Sequence, residues 1–272
     1  MAIPDRIDEA RLRRLLAPGD SIWTSLTVVD ETGSTNADLV AEAKGGAPSG
    51  TVLIANSQSA GRWRQGRTWS APPGAGVAVS VLLHPVDLAP ARWGWLPLLA
   101  GLSVAEALRQ YPGLPALLKW PNDVLIGEGK VAGILTERVE SPRGPAVVIG
   151  LGINVHLTEA QLPVPSATSL ALHAVESVVA GPLSRTEVVR SCLGTLGELY
   201  RGWETKKSDD DLAVWYRRRC ATIGRRVRVE LVGGLAVEGT ATDVDGGGRL
   251  VVRTDGGTHV VGAGDVIHLR SV

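Results

Sequence analysis

Two lysines, Lys119 and Lys130, lie in one short segment of a chain that otherwise uses arginine for positive charge. Only five of the 28 cationic residues are lysines, and the other three are Lys44, Lys206 and Lys207. An ammonium group is a compact point charge, whereas a guanidinium is a rigid fork. Base composition explains the general preference for arginine, and a charged hairpin tip would explain both lysines structurally. The scarcity of lysine elsewhere in the chain favours the alternative that this segment meets a ligand.

A second cationic segment runs from Gly61 to Arg67 and holds three arginines, Arg62, Arg64 and Arg67. Guanidinium groups this close repel one another unless they are solvated or face an anion, and both carboxylate and phosphate fit the guanidinium fork. A solvated surface loop and an RNA-binding Arg/Gly segment are the other interpretations. The neutral charge of the whole chain weakens the RNA interpretation, because nucleic-acid binding depends on a clustered basic surface.

Short polar segments adjoin two apolar elements. Ser34-Thr35-Asn36 starts a helix pattern, where short polar side chains cap free backbone N–H groups. Gly152-Ile153-Asn154 ends an apolar strand, and a glycine within a strand, such as Gly133, often marks close approach by a ligand or another backbone. Capping and strand packing explain either segment by itself. A Rossmann site is not supported, because the full Gly-x-Gly-x-x-Gly and its following helix are missing.

Hydrophobic patterning and turn residues predict the elements that position these segments. Helices are expected over residues 8–16, 36–44, 92–109, 184–204 and 209–220, and strands over 21–30, 51–55, 77–83, 117–120, 124–126, 131–138 and 146–156. Residues 57–76 are expected to form a loop. Strands and helices mix without a regular β-α-β rhythm, which favours an α+β fold with a mixed sheet over a doubly wound sheet.

The pattern of apolar and turn residues changes after residue 222. Four short strands over 225–232, 236–244, 250–254 and 258–261 are separated by Gly pairs or Asp-Gly, which is typical of a small all-β barrel. We therefore expect two domains, residues 1–222 and 223–272.

Composition limits the class of protein. The chain has 272 residues with 28 basic and 28 acidic side chains, so its net charge is zero. Its two cysteines, Cys192 and Cys220, are far apart and do not have zinc-site spacing. We expect no membrane segment and no signal peptide, and hence a cytoplasmic protein.

In this order, the segments resemble the biotin protein ligase family. The resemblance rests on Ser34-Thr35-Asn36, the Arg/Gly loop 61–67, Lys119-Trp120-Pro121-Asn122-Asp123, the strand from Lys130 to Leu135, and Gly152-Ile153-Asn154. It covers about residues 28 to 270, and it implies a mixed-sheet catalytic domain followed by an SH3-like β barrel.

The resemblance implies a two-step ligase. Biotin and Mg²⁺-ATP give biotinyl-5′-AMP and pyrophosphate, and the mixed anhydride then acylates one lysine of a biotin carboxyl carrier protein of acetyl-CoA, acyl-CoA or pyruvate carboxylase. Because a carboxylate attacks a phosphate, cations must be arranged around the reacting atoms.

The same resemblance assigns roles residue by residue. Catalytic residues would be Lys130, Arg64, Arg62 and Asp123, with Asp123 also a ligand of Mg²⁺. Biotin would contact Ser34, Thr35, Asn36, Gln58, Gly61, Arg62, Arg64, Lys130 and Gly133. ATP would contact Arg64, Arg67, Trp69, Lys119, Asn122, Asn154 and Arg270. The cations of the two segments would share one pocket.

The chain departs from the family pattern at two places. Trp63 replaces the second glycine of the Arg/Gly loop, where it either points outward, joins the lid and slows adenylate release, or loosens the lid. Only about 20 residues precede the first expected strand, so we expect no helix-turn-helix and no DNA binding through one.

Related functions remain open at this stage. A lipoate or octanoate ligase shares the catalytic fold, and a non-catalytic relative or an RNA binder belongs to other classes. The Arg/Gly loop together with Lys119–Asp123 and a C-terminal barrel favours biotin. We further expect a monomer or weak homodimer, and a loop 59–69 that is mobile without ligand.

Overall fold

The protein is described by a computed structural model over residues 5–16, 19, 21–62, 69, 71–174, 183–206, 208–231 and 233–269. The α-helices are α1 (Glu9–Leu16), α2 (Thr35–Lys44), α3 (Leu96–Arg109), α4 (Arg185–Glu204) and α5 (Asp210–Arg219). The first seven strands are β1 (Ser25–Thr32), β2 (Thr51–Gln58), β3 (Gly76–Leu83), β4 (Leu117–Lys119), β5 (Asp123–Ile126), β6 (Gly129–Ser141) and β7 (Gly144–Asn154). The C-terminal strands are β8 (Arg226–Glu230), β9 (Ala236–Val244), β10 (Leu250–Thr254), β11 (Gly257–Val261) and β12 (Asp265–His268).

The first seven strands form one sheet in the order β1-β2-β3-β7-β6-β5-β4. The β1–β2 pair is parallel, and the other pairs are antiparallel. The prediction of an α+β fold with a mixed sheet is therefore confirmed.

Helices cover both faces of this sheet. Val79 and Val81 of β3 belong to the main core with α3 and α4, whereas Leu82 packs in a second cluster with Leu39 and Ala43 of α2. Every residue of β3 is buried as a result, which explains its nearly continuous apolar sequence.

The C-terminal strands form a separate antiparallel sheet in the order β11-β10-β9-β8-β12. Two tryptophans join it to the rest of the chain: Trp95 Nε1 donates to the Gly246 carbonyl at 2.8 Å, and Trp120 Nε1 donates to the Gly248 carbonyl at 2.9 Å. Strand β12 is the fifth strand of this sheet and was not among the four predicted from the sequence.

Several element bounds differ from the prediction. The helix expected from residue 92 starts as a 3-10 turn, Pro90–Trp95, and becomes α-helical at Leu96. Strand β2 runs to Gln58, where it pairs with Thr32, so the expected loop starts later. No described helix is both long and apolar enough to cross a membrane.

A buried arginine ties the start of α4 to the sheet. Arg185 is 0% exposed, and its guanidinium donates to the Gly76 carbonyl at 3.0 Å and to Asn56 Oδ1 at 2.9 Å. Its Nε donates to the Asp5 carbonyl at 2.7 Å, and its backbone N–H donates to Asp5 Oδ2 at 2.6 Å. Burial lowers the pKa of the Arg185 guanidinium, and Asp5 opposes that shift.

Candidate functional site

A small polar cavity lies where α2 meets the sheet. It has a volume of about 30 Å³. Its lining includes Ser34, Thr35, Asn36, Gln58, Arg62, Trp69, Gly133, Gly150 and Gly152. The residues expected to bind biotin are thus brought together, except Arg64, which lies outside the described residues, and Lys130, which lines a different cavity. Gly61 adjoins the lining, since an added Cβ there would lie 2.9 Å from Gln58 Nε2.

The first turn of α2 presents its polar side chains because a cap fixes it. Ser34 is the N-cap, and its hydroxyl accepts the Ala37 N–H at 3.4 Å. The next residue, Thr35, is held from the sheet: Gln58 Oε1 accepts both the backbone N–H of Thr35 at 2.8 Å and its hydroxyl at 3.0 Å. The turn that Ser34 caps therefore also lines the cavity where ligand binding is predicted.

Two residues of this cavity's polar network were missed by the sequence analysis. Ser80 is fully buried on β3, and its hydroxyl lies 2.8 Å from Thr35 Oγ1 and 2.6 Å from Asn36 Oδ1. Glu137 on β6 accepts the Asn36 Nδ2 amide at 2.9 Å. A serine within the apolar run from Val77 to Leu83 was the available signal for the first.

Glycines of β7 make room for this network. A Cβ on Gly150 would lie 2.2 Å from Asn36 Oδ1, and a Cβ on Gly152 would lie 3.0 Å from the Trp69 ring. Gly152 pairs with Gly133 across the β6–β7 ladder. Close approach by a side chain therefore explains Gly152, one of the two glycines singled out from the sequence.

We expect Gly150→Ala to disrupt the cavity, because Asn36 cannot retreat without breaking its bonds to Ser80 and Glu137. Overpacking of this kind lowers the free energy of unfolding by about 1–3 kcal/mol. We expect a loss of biotin affinity of about tenfold or more, as for a lost hydrogen bond to a charged group. Calorimetric titration and thermal melting measure both.

Gly202→Ala is the matched control. Gly202 lies in α4 with no atom within 4 Å of an added Cβ, so alanine should raise stability by roughly 0.5–1 kcal/mol. Unchanged biotin binding by Gly150→Ala would show that the Asn36 position is not needed.

The Arg/Gly loop is described only at its two ends. Trp69 N–H donates to the Gly61 carbonyl at 2.9 Å, and Arg62, about half exposed, lies 3.9 Å from Glu137 Oε1. The predictions for Trp63, Arg64 and Arg67, and that for Arg270, fall outside the described residues.

A larger cleft of about 1020 Å³ lies between the two sheets. Lys119, Asp123 and Lys130 line it from the first sheet, and Arg225 and His268 line it from the C-terminal part of the chain. Lys130 Nζ lies 2.6 Å from Asp123 Oδ1, with both side chains about three-quarters buried.

Two groups of the cleft were not predicted from sequence. Arg225 donates to both carboxylate oxygens of Glu128 at 3.0 and 2.8 Å, which ties the C-terminal part to the turn before Lys130. Burial, together with the nearby charges of Lys119 and Arg225, lowers the pKa of His268 to about 4, so its imidazole is neutral near pH 7. The cleft is a cationic environment suited to an anionic ligand.

Asn122 and Asn154 are buried, and their side-chain amides donate hydrogen bonds to backbone carbonyl groups. Asn122 Nδ2 donates to the Ile134 carbonyl at 3.0 Å, and Asn154 Nδ2 donates to the Thr168 carbonyl at 2.9 Å. Thr168 N–H in turn donates to the Lys130 carbonyl at 2.8 Å. Both amides therefore support the segments around the cavities, and their contact with a nucleotide stays a prediction.

The described cations line two cavities in the structure, and the expectation that they surround one ligand stays a prediction. Arg62 lines the small cavity, whereas Lys119 and Lys130 line the cleft. Strand β6 serves both, since it places Lys130 in the cleft and Gly133 three residues later in the small cavity.

The cleft offers one carboxylate, Asp123, to a magnesium ion that would arrive with a polyphosphate. Within the described parts of the chain, no three His, Cys, Asp or Glu residues gather as metal ligands. Mg²⁺ commonly uses one or two carboxylates together with substrate phosphates, and Asp123 offers one such carboxylate.

Comparisons with known proteins agree with this geometry. Residues 25–154 match the model of the biotin/lipoate A/B protein ligase family, and residues 222–269 match the biotin protein ligase C terminal domain. Over 97% of its length the chain is 46% identical to the biotin–[acetyl-CoA-carboxylase] ligase of Mycobacterium tuberculosis, covering 96% of that relative. It is 31% identical to the bifunctional ligase/repressor of Bacillus subtilis, over 97% of this chain and 79% of the other.

A solved structure has the same fold. The biotin protein ligase of Aquifex aeolicus, in complex with biotin and ATP, superposes with a TM-score of 0.76 at 28% identity. The match covers 92% of this chain and all of that one.

Proposed function

The chain belongs to the biotin/lipoate A/B protein ligase family as a ligase that uses biotin and ATP, and we propose how its two cavities divide the reaction. The small cavity, which at about 30 Å³ holds only about one water molecule, supplies polar groups that hydrogen-bond the neutral head group of biotin. The cationic cleft takes the phosphates of ATP and then the lysine of the carrier. The observation that supports this division most is the placement of Lys130 and Gly133 on one strand, each lining a different cavity.

In the first step, a carboxylate oxygen of biotin bonds to the α-phosphorus of ATP, and the bond to the β-phosphate breaks to release pyrophosphate. Attack of one anion on another needs fixed positive charge at the reacting atoms. We assign that charge to Lys130 and Arg62, with Arg64 and Arg67 as further candidates, and we place Lys119 along the phosphates. Asp123 would hold Mg²⁺, which neutralises phosphate charge when bound.

In the second step, the amine of a carrier lysine attacks the acyl carbon of biotinyl-5′-AMP, and AMP leaves. The attacking amine loses its proton to solvent as the amide forms, and the AMP oxygen keeps the electron pair of the broken bond. Asp123 is a carboxylate of the cleft that lies 2.6 Å from Lys130 Nζ, so we assign to it the orientation of the incoming lysine amine. The relative named as an acetyl-CoA-carboxylase ligase supports a biotin carboxyl carrier protein as the acceptor.

We also propose two domains that meet near residue 222, with the C-terminal sheet closing one side of the cleft. Both cysteines are free and buried, which fits a reducing compartment such as the cytoplasm.

Biotin-dependent exchange of labelled pyrophosphate into ATP tests the proposed activity. We expect exchange with biotin and none above background with lipoate or octanoate, because the small cavity is lined with hydrogen-bonding groups that a dithiolane or an alkyl chain cannot use. Exchange that lipoate stimulates as well as biotin does would refute the assignment of substrate.

A further inference from the structure

Glu137 is a carboxylate beside the small cavity that the mechanism does not use. It lies on β6, two residues beyond Leu135 of the cavity lining, and its side chain is 29% exposed. One oxygen accepts the Asn36 Nδ2 amide at 2.9 Å, and the other lies 3.9 Å from the Arg62 guanidinium. It therefore contacts both the floor of the cavity and the first arginine of the loop.

The carboxylate fixes which way the Asn36 amide points. An amide oxygen turned toward Glu137 would face a carboxylate and also the Leu135 carbonyl, which lies 3.3 Å from Nδ2. The orientation assigned from these partners directs Oδ1 toward the Ser80 hydroxyl at 2.6 Å. Because Oδ1 only accepts, Ser80 must donate its single proton to Asn36.

The proton of Thr35 is then directed as well. Ser80 Oγ has no proton left for Thr35, so at 2.8 Å it accepts the Thr35 hydroxyl, and Gln58 Oε1 is the second available acceptor at 3.0 Å. With either acceptor, the hydroxyl proton of Thr35 points toward another protein side chain and not into the cavity. The remaining lone pair of Thr35 Oγ1 is an acceptor for whatever enters the cavity.

We propose that Glu137 is a positioning residue that acts on the small cavity through Asn36 and Ser80. It directs the hydroxyl protons of the cavity so that Thr35 accepts an N–H group of the ligand. This inference rests on the proposed function and deepens it. A cyclic urea supplies such an N–H group, whereas a dithiolane ring or an alkyl chain supplies none. Glu137 thereby selects among ligands that it does not touch.

The test compares three variants of the full chain by calorimetric titration with biotin alone. We expect Glu137→Ala to weaken biotin binding about tenfold, because a hydrogen bond to a charged group is lost while the weaker Leu135 carbonyl remains. Glu137→Gln keeps an acceptor for Asn36 and should bind biotin within about threefold of wild type, as expected for loss of a half-exposed ion pair. Glu140→Ala removes an exposed carboxylate of the same strand, paired with Arg138, and should stay within about twofold.

A second ligand distinguishes an effect on the hydrogen-bond polarity of the cavity from an effect on the stability of the protein. A biotin analogue methylated on its ureido nitrogens cannot donate to Thr35, so the wild type should discriminate against it. In Glu137→Ala the Thr35 hydroxyl is free to turn, and the discrimination should shrink by about threefold or more. The steric cost of the methyl groups is common to both proteins and cancels from the ratio.

Equal losses in Glu137→Gln and Glu137→Ala would show that only charge toward Arg62 matters and would overturn the proposal. Unchanged discrimination in Glu137→Ala would overturn it too, whatever its melting temperature. A wild type that binds biotin but lacks pyrophosphate exchange would contradict the proposed activity and not this inference, since binding is measured without ATP.

Discussion

Replacing Lys130 by alanine should lower the rate of adenylate formation by about ten- to a hundredfold or more, because a desolvated contact to a charged group is worth about 1.5–3 kcal/mol. The structure strengthens this expectation. Lys130 is about three-quarters buried and pairs with Asp123 at 2.6 Å, in a cleft that also contains Lys119 and Arg225. Removal of the ammonium group leaves the Asp123 carboxylate facing the incoming phosphates, which adds repulsion to the lost attraction.

The measurement is pyrophosphate release with saturating ATP and biotin, alongside thermal melting. Lys206→Ala is the matched control, since Lys206 pairs with Asp211 on an exposed surface and should leave the rate unchanged. Lys130→Arg keeps the charge but replaces a point charge with a fork, so we expect only partial activity. Pyrophosphate release by Lys130→Ala at the wild-type rate would show that the assigned role is wrong.

Replacing Arg185 by alanine should give the largest loss of stability. Breaking a buried, hydrogen-bonded charge network by removing one partner costs about 3–5 kcal/mol. For a chain of this size that corresponds to a melting temperature roughly 10 °C lower. Asp5, Asn56 and the Gly76 carbonyl would lose their partner together, and solvent cannot easily replace it because Arg185 is completely buried.

Arg6→Ala provides the comparison for Arg185. Arg6 pairs with Asp30 at 2.5 Å, but both side chains are more than half exposed, so its loss should change stability by no more than about 0.5 kcal/mol. Equal melting temperatures for the two variants would show that the buried network contributes little. Since Asn56 and Gly76 lie on either side of the Arg/Gly loop, the Arg185 variant should also bind biotin more weakly.

Much of the fold was predictable because its elements carry strong local signals. The apolar run from Val77 to Leu83 and the glycine turn before Lys130 marked their strands, and Ser34 marked the start of α2. The 3-10 start of α3 was not predicted, because apolar periodicity alone does not distinguish the two helix types. Strand β12 was missed because its four residues alternate weakly and depend on pairing with β8.

The site was predictable where motifs carry it and not where partners come from distant parts of the chain. Ser34, Thr35 and Gln58 meet as expected. The sequence around Ser80 and Glu137 gave little indication of a role in the site, because both residues reach Asn36 only through the packing of β3 and β6. The contact between Arg225 and Glu128 likewise joins residues 97 apart in sequence.

The strand shared by the two cavities has a consequence for the length of the substrate. A β-strand advances about 3.3 Å per residue, so the three steps from Lys130 to Gly133 span roughly 10 Å. Both ends of this distance are held by hydrogen-bonded neighbours: Gly133 pairs with Gly152 of β7, and Lys130 pairs with Leu125 of β5 and donates its N–H to the Ser166 carbonyl at 2.8 Å. An acid with one methylene group fewer or more than biotin would seat its ring in the same cavity but place its carboxylate at a different distance from Lys130, so we expect slower activation of such homologues.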